Sequence, residues 1–250
     1  CISMNYLLLR GLGRQAAHWG EFKTLLEEQD FSNKVIALDL PGFGEQNTED
    51  SPKTIKSITN FVRLNFLKQI TSKDNEWTIV GFSLGGMVAL DWVDRFPYDF
   101  KKIILINTSA ANLSSPLRRL QPEVFNHFLK IIKTRNAKQR ETEILKMICN
   151  HDPEAHIEEW THLAQKHPYK EINVIKQLGA AFSFKAPKAL NLPGLVLSST
   201  QDRMVHYSCS KKIAKRYNWP IQLHKTAGHD LTTDDPKWVI TEIKQDYENS

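Results

Sequence analysis

The sequence predicts an α/β chain: a mostly parallel sheet with helices on both faces and an inserted helical cap. Three observations predict it. Short apolar runs alternate with amphipathic stretches up to about Asn107, only helical patterns occur from about 112 to 190, and the alternation then resumes. Strands separated by helices of this length need crossover connections, which make a sheet parallel and bury both of its faces. At 250 residues the chain suits one large α/β domain, or one domain carrying an insertion. The expected boundaries are 1–111 and 191–250 for the two parts of the core and 112–190 for the cap.

Each element has its own warrant. "YLLLR" (6–10) is an apolar run closed by Gly11 and Gly13, and Trp19, Phe22, Leu25 and Leu26 follow at helical spacing. "KVIALDL" (34–40) reads as a buried strand that stops at Pro41-Gly42. Between 53 and 70, Ile55, Ile58, Phe61, Val62, Leu64 and Phe66 are expected on one helical stripe. "WTIVGF" is the next strand, "LGGMVALDWVDRF" a helix that must end before Pro97, and "KKIILIN" (101–107) another strand. In the insertion, "PEVFNHFLKIIKTRNAKQRETEILKMIC", "EAHIEEWTHLAQK" and "EINVIKQLGAAF" carry helical patterns. The core returns with "LPGLVLSS" (192–199), a helix near 207–217, the strand "PIQLHK" (220–225) and a last helix from about Asp235.

Composition narrows the function classes. Hydrophobic residues make up 41% and charged residues 24%, ordinary for a water-exposed globular chain. No apolar run reaches the length of a transmembrane helix, and "CISMNYLLLRGLG" lacks the basic region and cleavage site of a secretory leader. Cys1, Cys149 and Cys209 are few and odd in number, which argues for a reducing compartment, the cytoplasm by default, with Cys149 and Cys209 buried. Neither nucleic acid nor membrane is an expected partner. The net charge of +5 sits in the middle third, where Ser115 to Lys188 hold 13 Lys and Arg against 8 Asp and Glu. The plain reading is a solvated helical surface; the sharper one is a face that meets an acidic partner or substrate.

The chemistry centres on Gly81-Phe82-Ser83-Leu84-Gly85, between a strand and a helix. A serine hydroxyl is a poor nucleophile at neutral pH and needs a base, a group that orients the base, and donors for the developing oxyanion. Glycines on both sides of Ser83 leave room for a tight strand-to-helix turn, and the Leu84 N–H at the helix start is one oxyanion donor. "LLLRGLGRQAAHW" supplies the second, the Leu12 N–H. His229, in a loop after the last strand, is the expected base, and Asp202, after the preceding strand, the expected orienting carboxylate. Asp230 and Asp234 stand as alternatives to Asp202, and Asp39 is expected to support its own turn. The chain order Ser, Asp, His is the one known for this architecture. The cap histidines (His127, His151, His156, His162, His167) follow one another at spacings that do not stack two imidazoles on one helical face, so no metal site is expected.

In "RGLGRQAAHW", "LDLPGFGEQ", "GFSLGGMVAL", "TQDRMV" and "AGHD" the chain resembles the α/β-hydrolase fold family, over nearly its full length. The resemblance implies Ser83 as nucleophile, Asp202 as acid, His229 as base, and no cofactor or metal. Serine rather than aspartate at 83 argues against dehalogenase-like and epoxide-hydrolase-like chemistry. Two departures stand out: Arg10-Gly11 replaces the usual His-Gly at the oxyanion loop, and the family's first two antiparallel strands are not expected within these residues. Substrate choice would lie in the cap, with Phe82 and cap residues such as Trp160 or Phe182 lining an apolar pocket. Within the family, the short core, "GFSLGG" and the basic cap after "LINTSAANLSS" are similar to pimeloyl-[acyl-carrier protein] methyl ester esterases of biotin synthesis. That likeness implies an acyl-carrier-linked or small ester substrate. It also implies an acidic carrier protein as partner, met by Arg118, Arg119, Lys133, Arg135, Lys138 and Arg140. Carbon–carbon bond hydrolysis or a lyase step on the same residues, and a non-catalytic binding role, remain open.

Overall fold

The computed structural model describes residues 4–71 and 76–249; Cys1 lies outside them. The strands are β1 (Met4–Leu9), β2 (Ser32–Leu38), β3 (Trp77–Phe82), β4 (Lys102–Ile106), β5 (Gly194–Ser199) and β6 (Ile221–His224). They form one sheet in the order β2-β1-β3-β4-β5-β6, and every pairing among the described residues is parallel. Alternate side chains enter opposite cores, as a period of two requires. Leu7, Leu9, Ile79, Ile103, Leu105 and Val196 face one side, and Tyr6, Leu8, Val80, Ile104, Ile106 and Leu197 the other. The first side is covered by α2 (Ile55–Leu67) and α3 (Leu84–Arg95), and the second by α1 (Gly20–Glu27).

Leu64 leaves the stripe expected of α2 and is 60% exposed. The buried face runs through Ile55, Ile58, Thr59, Val62 and Phe66, and a residue nine positions beyond Ile55 falls on the opposite side of a helix. Asp39 holds its turn as expected, accepting hydrogen bonds from the Ala16 N–H at 2.6 Å and the Glu45 N–H at 2.9 Å.

Between β4 and β5 lie α4 (Pro116–Arg119), α5 (Phe125–Lys133), α6 (Ala137–Ile148), α7 (Ile157–Lys166) and α8 (Glu171–Ser183). The long helical pattern over 122–149 is two helices. The chain turns extended at Thr134, and Asn136 caps α6 by accepting from the Gln139 N–H at 3.0 Å. Val124, Leu145, Ile148, Cys149 and Trp160 form the insertion's own core, which packs on Met204, Val205 and Cys209 beyond β5. After β5 come α9 (Ser208–Tyr217), on the first side of the sheet, and, beyond β6, the short α10 (Leu231–Asp234) and α11 (Pro236–Glu248), on the second.

Candidate active site

The chain leaves β1 toward β2 on one side and β3 toward β4 on the other, so a crevice opens at the carboxyl ends of β1 and β3. Ser83 stands at that edge. Its backbone has φ 53° and ψ −115°, a left-handed geometry that costs a non-glycine residue on the order of 1–3 kcal/mol. The surroundings enforce it: the Ser83 N–H donates to the Ile106 carbonyl at 2.8 Å, and the Thr108 hydroxyl donates to the Ser83 carbonyl at 2.6 Å. Gly85 is there because α3 backs onto β1. A Cβ at 85 would stand 2.2 Å from the Leu9 carbonyl oxygen.

His229 is buried with Nε2 3.0 Å from Ser83 Oγ and Nδ1 2.7 Å from Asp202 Oδ2. The other oxygen of Asp202 accepts the Met204 and Val205 N–H groups at 2.8 and 2.9 Å, which leaves Oδ2 aimed at the imidazole. The Phe82 ring lies 5.0 Å from the imidazole, centre to centre.

The sequence reading missed a residue behind His229. Asn107 donates to the His229 carbonyl at 2.7 Å and accepts from the Ser199 N–H at 2.9 Å and the Ser198 hydroxyl at 3.0 Å. It therefore joins the ends of β4 and β5 to the histidine loop. Its φ of 46° is the signal that "LIN" carried, since asparagine tolerates that conformation after a strand.

The two alternative carboxylates are committed elsewhere. Asp230 receives the buried Arg10 guanidinium at 2.5 and 3.2 Å, and Arg10 also reaches the Thr232 hydroxyl at 3.3 Å. Burial alone would raise the Asp230 pKa, but the charge and hydrogen bonds of Arg10, with Thr232, outweigh it and hold the carboxyl below its ordinary value. The Arg10 guanidinium lies over the rings of Trp19 and Phe82, at 5.1 and 4.9 Å. Asp234 accepts the N–H groups of Gly228 at 2.6 Å, Asn150 at 2.8 Å and His151 at 3.1 Å, tying the histidine loop to the insertion.

Leu84 opens α3 and Leu12 lies in the loop after β1; neither N–H has an acceptor among the described residues. A cavity of about 200 Å³ opens on Ser83 and His229. Its wall includes Leu12 and Phe82 from the core, Phe128, Ile144, Met147 and Leu178 from the insertion, and the polar Arg14, Arg140, Tyr169 and Glu171. A smaller cavity of about 50 Å³ beside Ser83 and Leu84 reaches Phe182. Trp160 is not in the wall of either cavity; it is buried against His18, ring centres 4.5 Å apart, and under Arg14.

The expected basic surface needs correction. Arg119 is buried, donating to Ser109 Oγ at 3.2 Å and to the Phe182 and Ala181 carbonyls at 2.9 and 2.5 Å, because α4 is pinned to the end of α8. Arg140 belongs to the cavity wall rather than to an outer face. Lys138 is exposed but paired with Glu158. Arg118, Lys133 and Arg135 are exposed. Cys149 and Cys209 are buried free thiols. Among the described residues no helix is long and apolar enough to cross a membrane.

Comparisons with known proteins bear on the family and the fold. Residues 6–242 match the profile of the alpha/beta hydrolase family. A pimeloyl-[acyl-carrier protein] methyl ester esterase of Pseudoalteromonas atlantica is 37% identical over 106 residues, 42% of this chain and 37% of that protein. A biotin biosynthesis bifunctional protein of Teredinibacter turnerae is 29% identical over 107 residues, 41% of this chain and 17% of that protein. The matched stretches thus span well under half of either relative. The solved structure of a lipase-esterase related protein from Clostridium acetobutylicum superposes with a TM-score of 0.73 at 22% identity, covering 97% of this chain and 94% of that one. This last likeness is one of fold.

Proposed function

The chain belongs to the alpha/beta hydrolase family, and on that premise we propose that it is an esterase, hydrolysing carboxylic esters through an acyl-enzyme on Ser83. The observation that carries the reading is the chain of contacts from Ser83 Oγ through His229 to Asp202, at 3.0 and 2.7 Å, opening on an apolar cavity. Ser83 Oγ attacks the ester carbonyl while His229 Nε2 takes its proton. Asp202 holds the tautomer that leaves Nε2 free and stabilises the imidazolium. The Leu12 and Leu84 N–H groups receive the oxyanion. His229 then protonates the departing alcohol, and water, activated in the same way, releases the acid. Two buried free thiols support a reducing, cytoplasmic setting.

A fluorophosphonate probe tests the nucleophile. The folded chain is expected to take one label, on the peptide that contains Ser83, and the Ser83→Ala variant none. A folded chain that stays unlabelled would point to a binding role instead.

A second reading is favoured by the names of the two relatives and by the exposed Arg118, Lys133 and Arg135: the ester is carried on an acidic acyl carrier protein. Turnover of a pimeloyl-carrier methyl ester should then fall steeply with added salt, because exposed charge pairs are screened within about 10 Å at 0.1 M. Reversing Arg118, Lys133 and Arg135 to Glu should lower it about tenfold or more, with p-nitrophenyl ester turnover as the internal control. Equal turnover of the carrier substrate by the reversed variant would remove this reading.

A further inference from the structure

The cavity beside Ser83 has two arginines in its wall and one buried carboxylate within reach of them. Arg14, after β1, and Arg140, on α6, both line it, and the single carboxylate between them, Glu141, is fully buried behind them. Arg14 Nη1 meets Glu141 Oε2 at 2.6 Å. Arg140 Nε stands 3.9 Å from Glu141 Oε1, too far for a hydrogen bond, and both of these atoms are buried with no hydrogen-bond partner. The Arg140 guanidinium lies 5.2 Å from the centre of the Tyr169 ring. Two guanidinium groups therefore share one carboxylate. The other carboxylate along the wall, Glu171, is solvent-exposed in the first turn of α8.

Burying an incompletely paired cation in an apolar wall is costly, and a lysine or arginine with nothing to bind ordinarily carries its head out to water. The Arg140 side chain is half-buried, 19% exposed, with Nε buried and unpartnered. A guanidinium offers a planar fork that suits a carboxylate, and in a site of low polarity such a contact discriminates strongly.

We propose that Arg140, backed by Arg14, is an anion subsite of the ester pocket, and that the substrate is a half-ester of a dicarboxylic acid whose free carboxylate it receives. This rests on the esterase reading and favours a free half-ester over a carrier-linked one, in which the far carboxyl is masked. The reaction is plain hydrolysis: water adds, the acyl C–O bond at the ester breaks, the alcohol leaves with a proton, and a dicarboxylate is released.

The test compares monomethyl and dimethyl esters of straight alkanedioic acids of five to eight carbons at neutral pH, where the free carboxyl is ionised. At the preferred length the unmodified protein should favour the monomethyl ester by about tenfold or more in kcat/KM, the factor that corresponds to 1.4 kcal/mol. Arg140→Gln should bring the ratio close to one, mainly through KM, and Arg140→Lys should retain part of it. A preference for the dimethyl ester, or a ratio that Arg140→Gln leaves intact, overturns the proposal. Calorimetric titration of Ser83→Ala with the same esters separates the two readings. Tighter monomethyl binding without fluorophosphonate labelling of the unmodified protein would sink the serine mechanism and keep the subsite. Labelling without any binding preference would do the reverse.

Discussion

Replacing His229 by Ala is expected to lower kcat on a small ester by about 10⁴–10⁶-fold, and Ser83→Ala by a similar factor. The double variant is expected to be no worse than either single one. The reason is that the two side chains act as one device: Ser83 Oγ lies 3.0 Å from His229 Nε2 and has no other base within hydrogen-bond reach among the described residues. Once the proton acceptor is gone the hydroxyl is an ordinary alcohol, and removing it as well loses nothing further. The turnover that remains comes from binding and from the Leu12 and Leu84 amides. Steady-state kinetics on a p-nitrophenyl ester checks this. Additive losses in the double variant would mean that Ser83 and His229 serve separate steps. A His229→Ala protein that kept a tenth of its activity would move the base elsewhere.

The second large effect concerns stability. Arg10→Met should destabilise the fold by about 3–5 kcal/mol at neutral pH, because it leaves the Asp230 carboxylate buried without its cation. The loss follows from desolvation rather than from the pair's net worth. Arg10→Met combined with Asp230→Leu, which removes both charges, should therefore recover most of it. Acid sharpens the test. In the intact protein the Asp230 pKa is lowered, so its stabilising contribution is full above the ordinary carboxylate value near 4 and is lost as pH falls through the lowered value. In Arg10→Met, burial without a cation raises the same pKa, and protonation relieves the penalty. The gap between the two proteins should thus be widest at neutral pH and narrow below about pH 4. Urea denaturation at several pH values measures it, and a gap that does not depend on pH would show that the loss comes from packing alone.

The pair also gives Arg10 a role at the position where the family resemblance implied a histidine. Arg10 and Asp230 are 220 residues apart in sequence. They join the loop after β1, which carries Leu12, to the residue that follows His229, and the guanidinium lies over Phe82, the residue before Ser83. Arginine there fastens together the loop after β1, the Ser83 turn and the His229 loop.

What the sequence determined by itself was most of what short-range rules govern, Leu64 and the break at Thr134 excepted. Strand and helix alternation, the break after Asn107, the tight turn at Ser83 and the order of Ser83, Asp202 and His229 all follow from local periodicity, from glycines where backbone must pass close, and from the edge of the sheet at which loops emerge. Tertiary structure decided what long side chains do, because a charged residue's partner is chosen by whatever packs against it. In a window of sequence Arg119 and Arg140 look like Arg118 and Arg135, yet one pins α4 to α8, one enters the cavity, and the other two stay in water. Asp230 and Asp234 were as close to His229 in sequence as any carboxylate, but Arg10 took the first and the amides of Gly228 and Asn150 the second, leaving Asp202 within 2.7 Å of the imidazole. The local pattern carries the backbone. The charges were placed only when separate segments came together, Arg10 on Asp230 across 220 residues and Arg119 on the end of α8 across 62 and 63.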